Sequence, residues 1–138
     1  MRSEDNPFFD YAGRYVSWFK RHLYLERTSK DEWVAILSPF IDCDNDGLTV
    51  YAKKEGDKIT LSDDGYILSD LCVLHENSPM SNLRQRMAVI RAIRSYDVEV
   101  KDGEMILVTD AEHYPDDLHT FYRAMMHASD VLTVFEEK

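Results

Sequence analysis

The sequence predicts an α+β fold, an antiparallel sheet covered by helices, on three observations. Three short runs rich in β-branched and aromatic residues follow one another through tight turns. A fourth such region is split by Asp102-Gly103, a strong two-residue hairpin signal. Segments at both ends and in the middle repeat apolar residues at three- and four-residue spacing, the period of an amphipathic helix.

The first helix is expected over Pro7 to Leu25, with Asn6 as its cap and Pro7 at a position that needs no N–H. Phe8, Tyr11, Ala12, Tyr15, Trp18, Phe19 and His22 form its stripe, expected to face the core because an amphipathic helix must bury one face. Strands are expected at Trp33 to Phe40, Leu48 to Lys54 and Lys58 to Ser62, the last two joined by Glu55-Gly56-Asp57. Connections this short favour an antiparallel meander. Ser62-Asp63-Asp64-Gly65 ends the third strand and offers helix caps to a short helix over Tyr66 to His75. Asn77-Ser78-Pro79 breaks it, and Met80 to Ser95 forms the next helix, with Leu83, Met87, Ile90 and Ile93 inward. Val98 to Val108 is the hairpin. The last helix begins near Pro115, with Asp116 and Asp117 suited to its positive N-terminal end, and buries Leu118, Phe121, Tyr122, Met125, Ser129 and Leu132. The order is αβββααββα.

A chain of 138 residues fits one domain, taken as 1–138, and a 44% apolar and 12% aromatic content is enough for a real core. No apolar run approaches the roughly 18–20 residues of a membrane helix. Met1 to Asp10 lacks an apolar stretch, so no signal peptide is expected. Cys43 and Cys72 then read as reduced thiols of a cytoplasmic protein. The net charge of −10 argues against direct nucleic-acid binding, since phosphate repels an acidic surface. That charge is uneven. Residues 55–79 and 102–138 carry −5 and −7, and between them residues 80–101 carry +3.

Ser38-Pro39-Phe40-Ile41-Asp42, Asn45-Asp46-Gly47-Leu48-Thr49-Val50-Tyr51 and Leu61-Ser62-Asp63-Asp64-Gly65-Tyr66 carry a family resemblance. They resemble the [ST]-P-[FL]-x-D, N-D-x-[IL]-x-[IV]-Y and L-[TS]-D-D-G-[YFW] blocks of domain of unknown function 1828. The resemblance implies an origin in bacteria, their phages or other mobile elements, and brings no activity with it. Many relatives of this pattern continue into a second domain; this chain is expected to end before one.

Asp42, Asp44 and Asp46 alternate before Gly47 as in a calcium loop, but Lys53 stands where such a loop needs a bidentate Glu, and a strand precedes it. A turn in which Asp and Asn side chains satisfy loop amides is the expected role. Asp63 and Asp64 are expected to cap a helix. If Asp42, Asp44 and Asp46 meet Asp63 and Asp64 at one end of the sheet, the set becomes a magnesium or calcium site, the basis of an alternative reading as a metal-dependent hydrolase or nuclease. Cys72-Val73-Leu74-His75 has a zinc-like spacing, with Cys43 and His113 as distant completing ligands, but zinc is not expected. Arg84, Arg91 and Arg94 share one flank of their helix, with Arg86 on the other.

The leading expectation is a small, acidic, non-catalytic binding or inhibitor protein with no cofactor. It would act on a host or defence protein such as a nucleic-acid enzyme, as anti-CRISPR proteins and DNA mimics do. Its partner surface is expected at Asp110, Glu112, Asp116 and Asp117, with Arg84, Arg91 and Arg94 as a basic complement.

Overall fold

The structure, a computed structural model, describes residues 6–72 and 79–133. Helix α1 (Pro7–His22) is capped as expected: Asn6 Oδ1 accepts the N–H of Phe8 at 2.9 Å. It ends three residues earlier than its periodicity suggests. Leu23 takes an extended conformation and the chain enters strand β1 (Tyr24–Arg27), which was not anticipated. Strands β2 (Trp33–Ile41), β3 (Gly47–Glu55) and β4 (Lys58–Ser62) follow as the expected meander. After β4 the chain makes a π-helical turn (Tyr66–Leu71) in place of the first part of the expected short helix; the rest of that expectation, 73–75, lies outside the described residues. Helix α2 (Pro79–Arg94), strands β5 (Glu99–Lys101) and β6 (Glu104–Thr109) and helix α3 (Tyr114–Thr133) complete the order.

All six strands form one antiparallel sheet, ordered β1-β2-β3-β4-β6-β5. The late hairpin therefore extends the meander, with β6 beside β4. Its turn uses Asp102 (φ 53°) and Gly103 (φ 78°), and two consecutive left-handed residues give the twist that a two-residue hairpin needs.

One sheet face is covered and the other is open. Ile36, Val50, Leu61 and Met105 point to the covered side, where Phe121, Tyr122, Met125 and Leu132 of α3 and Val89 and Ile93 of α2 close the core. The stripe expected for α3 is buried at Phe121, Tyr122, Met125, Ser129 and Leu132, with Ala124 and Ala128 alongside. The Tyr122 hydroxyl donates to the Ile36 carbonyl at 2.8 Å, and burial pushes its pKa up to about 12.

Two helix faces differ from expectation. In α2, Ile93 is buried and Ile90 packs on the core as expected, but Leu83 and Met87 are more than half exposed, and Gln85, Val89 and Ala92 point inward instead. Ala92 of α2 and Ala124 and Ala128 of α3 are buried, and Arg86 Nη1 fastens α2 by donating to the Leu68 carbonyl at 2.8 Å. In α1, no residue is buried, so its aromatic stripe is not core. Phe19 is its one half-buried residue, and its ring meets Phe40 at 5.6 Å. Among the described residues, no helix is long and apolar enough to cross a membrane.

Candidate functional site

The sheet end formed by the β2–β3 loop and the β4 terminus gathers the most chemistry. A bulge interrupts the β2–β3 ladder between Leu37 and Ile41, the stretch that holds Ser38-Pro39-Phe40. Ser38 Oγ bridges it by donating to the Leu48 carbonyl at 2.8 Å and accepting the Phe40 N–H at 3.3 Å. The bulge turns Phe40 toward Tyr122, at 5.2 Å between rings. Asp42 then organises the loop. Its Oδ1 accepts the N–H groups of Asp44 (2.7 Å) and Asp46 (3.1 Å), and its Oδ2 accepts the Tyr66 hydroxyl. Burial, followed by that bond to Asp42, raises the Tyr66 phenol well above its ordinary value. The Cys43 N–H donates to Ser129 Oγ at 2.6 Å, which moors the loop to α3. The alternating acids thus form a turn that satisfies its own amides.

The neighbouring carboxylates of Asp63 and Asp64 have opposite surroundings. Asp63 is 1% exposed. Its oxygens accept three backbone N–H groups, from Gly65, Ile67 and Met105, each at 2.9 Å. It therefore caps the π-helical turn and staples it to β6. Burial raises its pKa against the pull of those three donors, and the charge of Glu104 adds to the rise. Asp64 is exposed and left-handed (φ 55°), and caps nothing; its N–H donates to Ser62 Oγ at 2.9 Å. The expected capping role therefore belongs to Asp63 alone.

Buried Ser62 in turn donates to Glu104 Oε1, placing that carboxylate on the open sheet face. There a cleft of about 470 Å³ is floored by Trp33, Ala35, Tyr51 and Ser62, with Asp64 and Glu104 on one side and Glu26, Arg27 and Lys30 on the other. A second cavity of about 320 Å³ adjoins it, lined by Asp46, Thr49, Asp63, Tyr66 and Asp70 together with Tyr51 and Asp64, which line both. Burial and the nearby Asp64 charge raise the Tyr51 phenol. The three sequence blocks therefore converge in space.

A family model described as Domain of unknown function DUF1828 matches residues 38–127. The chain belongs to this family. No curated protein and no solved structure matches it. The DUF1828 match begins at the β2 bulge and runs into α3, so α1, β1 and the first half of β2 precede it. Within the matched stretch lie Ser38, Asp42, Tyr51, Ser62, Asp63 and Tyr66, and each makes a bond or lines a cavity described above.

The acids proposed as metal ligands do come to one end of the sheet: Asp46, Asp63 and Asp64 share one cavity lining, joined by Asp70. Asp42 and Asp63 are already committed to backbone N–H groups, and among the described residues no three His, Cys, Asp or Glu side chains gather as a set that could hold a metal. Cys43 is half-buried and Cys72 buried, both as thiols; His75 lies outside the described residues.

The expected partner surface is split. Glu112 and Asp116 are exposed, as are Arg84, Arg91 and Arg94. Asp110 closes the turn before α3 by accepting the His113 N–H at 2.9 Å and pairs with its imidazole at 2.8 Å. The two bonds lower the Asp110 pKa, and the imidazole bond with the Asp110 charge raises that of His113. Asp117, expected to face solvent, is half-buried because it accepts the Thr109 hydroxyl at 2.6 Å.

Sequence reasoning did not single out Trp33, Tyr51, Ser62 or Glu104. A signal existed for two of them. Tyr51 and Ser62 are equidistant from the Gly56-Asp57 turn and so pair across β3 and β4. The period of two then places both on the face opposite Val50 and Leu61.

Proposed function

We propose that this DUF1828 chain is a small, acidic, non-catalytic binding protein of phage or mobile-element type. It inhibits a host or defence protein by docking on a basic surface, such as the groove of a nucleic-acid enzyme. One observation carries this reading: the division of labour among the carboxylates. Asp42 and Asp63, the two best placed for metal or acid–base work, are held by the chain's own amides. Asp46, Asp64 and Asp70 surround the adjoining cavities, are exposed, and make no ion pair with a described cation. On a chain of net charge −10 such acids form a surface that attracts Arg and Lys. With this geometry the acidic face moves from the C-terminal segment to the end of the sheet, with Glu112 and Asp116 as outlying members.

Titration against a nucleic-acid enzyme across a salt series tests the reading. Binding should weaken steeply with salt, and the combined change Asp46→Asn, Asp64→Asn and Asp70→Asn should weaken it further while flattening the salt dependence. Binding indifferent to salt would count against an acidic docking face. Calorimetry with magnesium, manganese and calcium should give no heat. A binding isotherm lost in Asp64→Asn would replace this reading with the metal-dependent hydrolase.

A further inference from the structure

At about 100° per residue, the apolar side chains of α1 cover roughly half its circumference. Phe19 lies near the middle of that arc and packs on Phe40, while the residues flanking it on both sides stay uncovered. Phe8 is 70% exposed, Tyr15 63% and Val16 64%. The cations Arg14, Lys20 and Arg21 occupy the opposite arc.

The same edge of the molecule carries a second unsatisfied feature. Among the described residues β1 is the outermost strand and pairs only with β2, so one row of its backbone groups has no strand partner there. Its register places Leu25 opposite Ile36, hence on the helical side of the sheet, yet Leu25 is 66% exposed. Edge strands are commonly guarded by short length, charged side chains, proline or a bulge. β1 (Tyr-Leu-Glu-Arg) is short and carries Glu26 and Arg27, but has no proline and no bulge against β2, so its outer edge remains able to pair.

We propose that this edge is the interface of a two-fold homodimer, in which β1 pairs antiparallel with β1 of a second copy and the two α1 helices cover each other's aromatic faces. The occupant must offer a free strand edge with an apolar helix beside it on the same side of the sheet, and a second copy offers both through one axis perpendicular to the sheet. Such an axis keeps each residue on its own face. Leu25 can then meet Leu25 on the helical side, and Tyr24 can meet Glu26 on the open side.

Charge selects the same edge. Residues 7–27 carry four Lys and Arg against two Asp and Glu, in a chain of net −10. Two copies therefore repel least where these edges meet, whereas an anionic lipid surface would repel the rest of the chain. The exposed aromatic and aliphatic side chains of α1 with Tyr24 and Leu25 amount to on the order of 700 Å² per copy, close to the ~800 Å² per partner of a stable interface. Because Glu26 and Arg27 line the open-face cleft, the dimer would set two clefts beside each other on one twelve-stranded sheet.

Light scattering and sedimentation of the full chain test this directly. The expected mass is twice 16.1 kDa, falling toward one copy on dilution. Tyr15→Glu with Trp18→Glu, and separately Leu25→Lys, alter exposed side chains and should give folded monomers with dimerisation weakened by roughly 100-fold or more. A second measurement avoids dependence on those variants. Leu25→Cys should cross-link copies under mild oxidation much faster than Val108→Cys, an exposed site on β6. A wild type that stays monomeric at about 100 μM, charged variants that stay dimeric, or equal cross-linking at both cysteines would overturn the proposal. So would a monomer that sediments with phosphatidylserine vesicles, which would assign α1 to a membrane surface.

Discussion

Helices α1 and α3 are both amphipathic and both rich in aromatic residues, yet they do opposite things. α3 buries Phe121, Tyr122, Ala124, Met125, Ala128, Ser129 and Leu132 against the sheet, and α1 buries none of its residues. The difference lies in what each helix has beneath it. α3 lies on the covered face against β2, β3, β4 and β6, and α2 packs beside it. α1 precedes the edge strand, and of its residues Phe19 is the one that is half-buried, against Phe40. Periodicity therefore says that a helix face will be covered, and the neighbouring strands say whether the same chain covers it.

The same contrast recurs within one dipeptide. Asp63 is enclosed by three N–H donors, and Asp64 beside it faces solvent in a left-handed conformation. One is a structural staple, and the other is available to a partner.

The sharpest way to break the comparison is to truncate matched aromatics. Phe121→Ala should cost about 3–5 kcal/mol and lower Tm by about 10–20 °C for a domain of this size. Phe8→Ser should change the stability of the dilute protein by less than ~0.5 kcal/mol. A large loss at Phe8 in thermal unfolding at high dilution would mean that α1 is core after all.

Next in size is the aspartate pair. Asp63→Ala leaves three buried N–H groups without their acceptor and should cost about 2–4 kcal/mol in chemical denaturation. Asp64→Asn should stay within ~0.5 kcal/mol, because Asn tolerates a left-handed conformation as well as Asp. Asp63 also sets a sign. Its pKa is raised in the folded state, so the folded chain binds more protons than the unfolded one just above the ordinary carboxylate value. Its contribution to stability is therefore greatest at low pH and is lost as pH rises through the raised pKa. Asp63→Asn should flatten that part of the profile.

A smaller change is expected at Tyr122→Phe, which removes the donor to the Ile36 carbonyl and should cost about 1 kcal/mol, read as a Tm loss of about 3–5 °C. The smallest effect is local. By NMR, His113 should titrate above an ordinary histidine and return toward normal in Asp110→Asn, which removes the carboxylate charge that pairs with its imidazole. A His113 pKa unchanged by that substitution would show that the Asp110–His113 pair does not form.

Much of the architecture was legible because it rests on local rules. Asn6-Pro7 marked the start of α1, Glu55-Gly56-Asp57 and Asp102-Gly103 marked the two hairpins, and the α3 stripe marked its buried face. The misread elements were those with competing local signals. Tyr24 to Arg27 continues an apolar pattern that suits a helix, and pairing with β2 draws it into the sheet. Leu83 and Met87 looked inward by spacing, but α2 turns the face of Gln85, Val89, Ala92 and Ile93 to the core, a rotation set by its tertiary neighbours. The family blocks were visible as residues, while their convergence around Tyr51 and Asp64 was not, because β3–β4 register and the β2 bulge bring together side chains distant in sequence.

By itself, then, the sequence determined the α+β class, the meander, both hairpin turns, the family and the acidic charge, since each depends on neighbours within a few residues or on composition alone. Only the tertiary structure decided which of two adjacent aspartates is buried, which carboxylates remain outward, and which aromatic helix has no cover. Those outcomes depend on long-range packing: a side chain's burial and its hydrogen-bond partners are set by strands and helices that reach it from elsewhere in the chain.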